Sequence, residues 1–375
     1  LNIHEWPESA ANANNQILLR GCRALGWQVH ALRRNVKGCM NSGYCGLGCP
    51  VDGKQAMHVT YLPDAVAAGL RLYADVDVQR FVVQGGRVES VDGAVIDRDD
   101  GLPAGPRVRV RCKVAVSSAG AINGPALLLR SGLDDGVVGT RTWVHPVTAM
   151  PALFDDPING FHGAPQSVAS HEFIDRGPDR MGFFLEVPPV QPMLVSTAST
   201  LFGDQQRDFL RQLPNLGIVL AIHADGLLAG ELGGTVGLRK DGRPSFRYDF
   251  GPALLEAMKA SARAMQQVVF AAGATSAYLL HTDHGAVLQS ADPAPLEGVD
   301  FGPLLQPTFT AHLMGGCPMG PDPAKAVVDN HLRHHSVANL FVVDGSVLPT
   351  SLGVNPSQTI YGIASWAAKA VADAV

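Results

Sequence analysis

The run Ala311-His312-Leu313-Met314-Gly315-Gly316-Cys317-Pro318-Met319-Gly320 places one histidine just ahead of tight glycines. A histidine followed by tight glycines can be held close to a cofactor, although a lone histidine more often serves structure. Further on, Gly353-Val354-Asn355-Pro356-Ser357-Gln358-Thr359 sets an asparagine before a proline. Proline pushes its predecessor out of the helical region and favours a first helical turn, so Asn355 stands where a loop hands over to the last helix. Its amide has two open uses, to cap that helix or to face a ligand at the positive helix end. Between these segments, Asn339-Leu340-Phe341-Val342-Val343 and then Asp344-Gly345-Ser346 read as a buried strand whose carboxylate emerges at the C-terminal edge. Open α/β sheets bind ligands at that edge. An aspartate there can accept from a sugar or polyol hydroxyl, and Gly345 permits close approach to a phosphate; an ordinary strand-to-turn stop reads the same way.

Other reactive side chains group less convincingly. Cys39, Cys45 and Cys49 lie in one loop, Cys-Met-Asn-Ser-Gly-Tyr-Cys-Gly-Leu-Gly-Cys-Pro. Grouped thiolates can bind zinc, but the paired Cys-x-x-Cys knuckles and a fourth ligand are missing, so no metal is expected. Cys22, Cys112 and Cys317 are scattered and read as small buried hydrophobes. His281 with His284, and His331 with His334 and His335, lack a carboxylate pattern to complete a metal site and read as loop residues.

The elements that must position these groups alternate between helix and strand. Residues 12–26 read as a helix closed by Gly26, and 60–70 as a second helix. Strands follow at 76–83, 87–95, 107–111 and 113–117, then a helix from Ser118 to Leu129 with Gly132 beyond its end. The middle, about 145–310, has apolar strand-like runs at 183–187 and 216–222, a hairpin around Arg239-Lys240-Asp241-Gly242, and a long helix from about Pro252 to Ala272. A last strand and a helix from about Pro356 complete an α/β pattern with an inserted β-meander. The chain of 375 residues suits two or three domains, and 46% hydrophobic against 17% charged residues excludes a largely disordered chain. A net charge of -5 argues against nucleic acid or acidic lipid as the main partner. Six cysteines fall short of a disulfide scaffold, and no apolar run reaches the roughly 18 residues that a membrane span needs.

Taken in order, these segments resemble the glucose–methanol–choline (GMC) flavin oxidoreductase family. His312 to Gly320, Val327-Val328-Asp329, Asn339 to Ser346, Pro349-Thr350 and Gly353 to Thr359 are similar to its C-terminal signature. The run from Ser118-Ala119-Gly120-Ala121 through Arg130-Ser131-Gly132 resembles an internal signature. The cysteine loop with Gly53-Lys54, Thr60-Tyr61-Leu62 and Ala65 is most similar to the branch containing long-chain alcohol oxidases. The resemblance covers roughly 12–146 and 308–373.

The resemblance implies an α/β fold with a discontinuous, Rossmann-like FAD-binding domain, 1–145 with 308–375, lacking its first βαβ unit, and a mixed α/β substrate domain, 146–307. It implies FAD and an alcohol substrate, with a long-chain or sterol-like alcohol favoured over a sugar, and O2 or a redox carrier as electron acceptor. By it, His312 is the catalytic base and Asn355 its partner holding the substrate oxygen. Asp344, Gly345 and Ser346 would lie along the ribityl–pyrophosphate, Val78 and Ala119 near the adenosine, and the helix from Pro356, including Thr359, would point its positive end at the flavin. Glu186, a substrate-domain carboxylate that could face the flavin, is a candidate for a third catalytic role. The family's Gly-x-Gly-x-x-Gly phosphate cradle does not occur in these residues. The expectation is therefore a fragment, or a chain whose partner segment supplies that half.

Overall fold

The computed structural model describes every residue except His284 and Ala286. Two compact units each draw on three stretches of chain. The first gathers Leu1–Arg71, Pro146–His223 and Phe250–Phe309; the second gathers Leu72–His145, Ala224–Asp249 and Thr310–Val375.

The first unit is built on a seven-stranded antiparallel sheet. Its order is Val287–Leu288, Ser276–Tyr278, Val147–Leu153, Leu216–His223, Phe183–Glu186, Val168–Ser170, His30–Ala31. The strand Leu216–His223 is an unbroken apolar run because both of its faces are covered, and every residue in it is buried. Val219 and Ala221 face the helices Ala13–Leu25 and Pro252–Ala271, whereas Ile218, Leu220 and Ile222 join Phe209 and Leu213 on the opposite side.

Helix Ala13–Leu25 starts at Asn12, which accepts from the Asn15 N–H, and stops at Gly26 with φ 72°. It lies close against the long helix because Gly21 has no side chain; a Cβ there would fall 2.3 Å from the Val268 carbonyl oxygen. Asn14 accepts from the Ile218 N–H at 2.9 Å and Asn15 from the Val168 N–H at 3.1 Å, which pins the first turn to the sheet.

These contacts move one expected boundary. Residues 1–71 were expected in the same domain as 72–145, but the Asn14 and Asn15 ties and the helix pair hold them with the seven-stranded sheet.

In the second unit a meander of Val76–Gln84, Arg87–Val95 and Arg107–Arg111 lies beside a parallel pair, Ala115–Ser117 with Leu340–Val342. The buried Asn339 amide joins them: its Oδ1 accepts from the Val88 N–H at 2.7 Å and its Nδ2 donates to the carbonyls of Val88 and Lys113. Helix Gly120–Arg130 packs with the hairpin Thr235–Leu238 and Pro244–Arg247, where Val236 N–H donates to the Gly139 carbonyl at 2.8 Å. That hairpin was expected in the middle domain, and this packing places it in the second unit. The final helix runs Ser357–Asp373. No helix among the described residues is long and apolar enough to cross a membrane.

His223 closes the central strand of the first unit. Its Nδ1–H donates to the Pro146 carbonyl at 2.7 Å, and the Ser261 hydroxyl stands 2.9 Å from Nε2. Burial pushes its pKa down to about 4. The unfolded chain therefore binds this proton more readily, so the contribution is fully present above pH ~6.5 and lost as pH falls toward 4. The loss is on the order of 3 kcal/mol. Urea denaturation between pH 7 and pH 4.5 should show this decline, and His223→Gln, which does not titrate, should make it shallower.

Candidate active site

The two parallel strands of the second unit end at the same edge. Ser117 leads through Ser118 and Ala119 into helix Gly120–Arg130, and Val342 leads into Asp344 and the turn Gly345–Val347. Asp344 ties the two exits together: Oδ2 accepts from the Gly120 N–H at 2.8 Å and Oδ1 from the Ser346 N–H at 2.7 Å. These hydrogen bonds support the strand-to-turn use of this residue.

The segment after His312 runs beside that turn. Cys317 N–H donates to the Ser346 carbonyl at 3.0 Å and Met319 N–H to the Val347 carbonyl at 2.8 Å. The glycines are required by this packing. Gly315 has φ 76°, and a Cβ on it would fall 2.0 Å from the Arg141 carbonyl oxygen. A Cβ on Gly345 would meet Leu313 O and Ile360 Cδ1, each at 3.1 Å.

His312 and Asn355, 43 residues apart in sequence, are thereby brought together, with Asn355 Nδ2 3.3 Å from His312 Nε2. The final helix is capped by no side chain, and its N-cap position is Pro356 rather than Asn355. The capping use of Asn355 is thus not the one realised; its amide faces His312.

The remaining sequence candidates are distributed around the second unit. Val78 lies in the meander, and its carbonyl accepts from Arg130 Nη2 at 3.3 Å. Ala119 stands exposed just ahead of helix Gly120–Arg130, Pro356 is buried, and Thr359 is exposed on the first turn of the final helix. The buried Ser346 sits in the turn after Asp344. Glu186 is buried in a strand of the first unit.

Four residues that sequence reasoning missed are linked to His312, two directly and two through His145. His145 is fully buried at φ 46°, and its Nδ1 lies 3.3 Å from His312 Nδ1, with the rings edge-to-face at 5.4 Å. The buried Asp225 holds that stretch of backbone, accepting from Val144 N–H at 3.0 Å and His145 N–H at 2.9 Å. The Tyr248 hydroxyl donates to Asp225 at 2.9 Å. Thr310 donates to the Val144 carbonyl and accepts from the His312 N–H at 3.2 Å. The available signals were only His145-Pro146 and Asp225-Gly226, pairs too short to separate from ordinary turns.

Burial sets the electrostatics. It pushes His312 down to about 4, so the imidazole is neutral near pH 7. It pushes Asp225 up to about 6 against the hydrogen bonds it accepts, with the Glu231 carboxylate adding to the rise. Tyr248 is raised by burial and by Asp225. The result is a neutral imidazole and a neutral amide side by side, suited to accepting a proton and orienting a hydroxyl.

Among the described residues no cluster of His, Cys, Asp and Glu is arranged to hold a metal, and all six cysteines are free thiols. His281 Nε2 contacts the Asp300 carbonyl at 2.8 Å, while His284 lies outside the described residues. His335 Nε2 contacts the Gly320 carbonyl at 3.0 Å.

Family models described as GMC oxidoreductase match residues 1–147, for the N-terminal part, and 233–364, for the C-terminal part. The chain belongs to the GMC oxidoreductase family. An uncharacterised GMC-type oxidoreductase of Mycobacterium tuberculosis is 29% identical over 379 residues, covering 97% of this chain and 55% of the relative. A long-chain-alcohol oxidase of Arabidopsis thaliana is 27% identical over 382 residues, covering 96% of this chain and 50% of the relative. The GMC chain thus spans about half the length of these curated relatives. In fold it is similar to a formate oxidase variant of Aspergillus oryzae, with a TM-score of 0.69 at 14% identity over 98% of this chain and 71% of that one.

Gly315→Ala tests the packing that delivers His312. The left-handed backbone and the Arg141 carbonyl both oppose a Cβ, so the variant should lose at least about 2 kcal/mol in urea unfolding.

Proposed function

We propose that this chain carries the catalytic pair of a FAD-dependent oxidoreductase that oxidises a CH–OH group of an alcohol. The observation that carries the reading is the contact between a neutral His312 and Asn355 beside the edge where two parallel strands end.

That edge fits a dinucleotide. The hydroxyls of Ser117 and Ser351 are buried with no hydrogen-bond partner among the described residues, which suits a polar group bound alongside. The final helix starts without a side-chain cap, leaving its positive end for an anionic ring or phosphate. Gly345, Ser346 and Asp344 would line the ribityl–pyrophosphate and Ala119 and Val78 the adenosine, with Pro356 and Thr359 at the flavin end. When bound, FAD supplies the hydride acceptor.

The residues of the chain do the rest. His312 Nε2 accepts the hydroxyl proton of the alcohol. The Asn355 amide, 3.3 Å from that nitrogen, donates to the same oxygen and holds it as negative charge develops. An amide does not titrate, so its grip is independent of pH. The long-chain-alcohol oxidases among the relatives favour an alcohol with a long apolar chain, with a sterol-like alcohol as the apolar alternative. The electron acceptor is O2 or a redox carrier, and hydrogen peroxide release against dye reduction separates the two.

The test is anaerobic bleaching of the flavin by a long-chain primary alcohol in the flavin-loaded protein. His312→Gln should slow bleaching by about 10²–10⁴, and Asn355→Ala by about 10². Since protonated imidazole cannot accept a proton, the wild-type rate should fall as pH drops through about 4 rather than through the ordinary histidine value. An unchanged rate in His312→Gln sinks the assignment.

A second observation favours a chain that depends on a further polypeptide segment to hold FAD. The final helix is rich in apolar residues, yet only Ala367 in it is buried, and Trp366 is 54% exposed. The parallel sheet has just two strands among the described residues, and Val116 in it is 43% exposed. Parallel strands are ordinarily covered on both faces. Titrating FAD into the 375-residue chain distinguishes these readings: bound-flavin absorbance supports self-sufficiency, and its absence supports the dependence.

A further inference from the structure

His145 is not needed to build the His312–Asn355 pair, yet the fold takes trouble to hold it. Its backbone is left-handed at φ 46°, an uncommon conformation for a residue other than glycine. It stays there because the fully buried carboxylate of Asp225 accepts from both the Val144 and His145 N–H groups, and Tyr248 donates to that same carboxylate. Glu231 fixes the following loop by accepting from Gly226 N–H at 2.7 Å and Leu228 N–H at 3.1 Å. Thr310 joins the Val144 carbonyl to the His312 N–H, so the two histidines hang from one hydrogen-bonded frame.

Two imidazoles meeting Nδ1 to Nδ1 can hydrogen bond only if one of these nitrogens carries a proton and the other does not. At its other end, His312 Nε2 faces the Asn355 amide nitrogen, which donates and cannot accept. A donor facing Nε2 requires a bare lone pair there, which puts the single proton of the neutral His312 ring on Nδ1. His145 Nδ1, 3.3 Å away, is then the acceptor, and the proton of His145 resides on its Nε2.

We propose that His145 is a positioning residue that sets the tautomer of His312: it accepts the Nδ1–H and so keeps Nε2 bare toward Asn355, with Asp225 as the anchor holding His145 in place. The role rests on the reading of His312 as the base, because Nε2 takes a hydroxyl proton only while it carries none. A ring held in the other tautomer would present an N–H to the alcohol and be idle as a base. The third group that orients a catalytic histidine is here a second imidazole rather than a carboxylate, which leaves the pair without net charge.

The experiment is a long-range proton–nitrogen correlation spectrum of the protein labelled with ¹⁵N-histidine, with His312 assigned by its loss in His312→Gln. The expected wild-type signature is a protonated Nδ1 and a bare Nε2 on His312. His145→Phe, which removes the acceptor, should move His312 toward the Nε2–H form. His145→Asn, at home in left-handed backbone and carrying an acceptor oxygen, should restore the Nδ1–H form. A wild-type His312 protonated on Nε2 overturns the proposal whatever the variants do. An unchanged His312 tautomer in His145→Phe, or His145→Asn behaving like His145→Phe, also overturns it.

Flavin bleaching by alcohol separates this inference from the functional reading. Bleaching with His312 in the Nε2–H form overturns the tautomer assignment and His312 Nε2 as the base, and leaves FAD-dependent alcohol oxidation standing. An Nδ1–H His312 with no bleaching supports the tautomer assignment and overturns the reading.

Discussion

One carboxylate organises the second unit. Asp344 accepts a backbone N–H from Gly120 with one oxygen and from Ser346 with the other, so the exits of two parallel strands are tied at one point. The tie fixes where helix Gly120–Arg130 begins and how the turn Gly345–Val347 is folded. That turn offers its carbonyls to Cys317 and Met319, which lays the segment after His312 along it. Ile360 of the final helix reaches over Gly345, and Asn355 arrives with that helix. The His312–Asn355 contact is therefore positioned by the hydrogen bonds along this turn and by the packing of Ile360 at Gly345.

Burial then decides the chemistry available to the pair. His312 is withdrawn from water, and the lowered pKa leaves it uncharged. The buried carboxylate of Asp225 accepts from Val144 N–H, His145 N–H and Tyr248. A carboxylate hydrogen bonded to the His312 ring would raise its pKa and favour imidazolium. The same carboxylate one residue removed positions backbone instead and leaves the His312 ring neutral.

The first unit obeys a simpler rule. Its central strand is apolar on both faces because helices cover one side and the Phe209–Leu213 region the other. The first helix joins that sheet through Asn14 and Asn15, polar residues whose side-chain oxygens accept from strand N–H groups. Two asparagines thus assign some seventy residues to a unit that begins again only at Pro146.

Local chemistry was legible in the sequence. Gly26 ends its helix, the alternating runs form the meander, the Arg239–Gly242 turn makes a hairpin, and Asp344 follows a buried strand. Each depends on backbone preference or on a period of two or 3.6 residues, which a short window contains. His312 and Asn355 were also legible, but through ordered motifs and their resemblance to a family rather than through any pattern that says they touch. The tertiary structure alone decided which stretches share a unit, because Asn14 and Asn15 reach strand N–H groups far along the chain. It alone made His145 a neighbour of His312 and Asp225 a partner of His145: the pairs are 167 and 80 residues apart in sequence, and only the fold converts such separations into a 3.3 Å contact and a shared carboxylate.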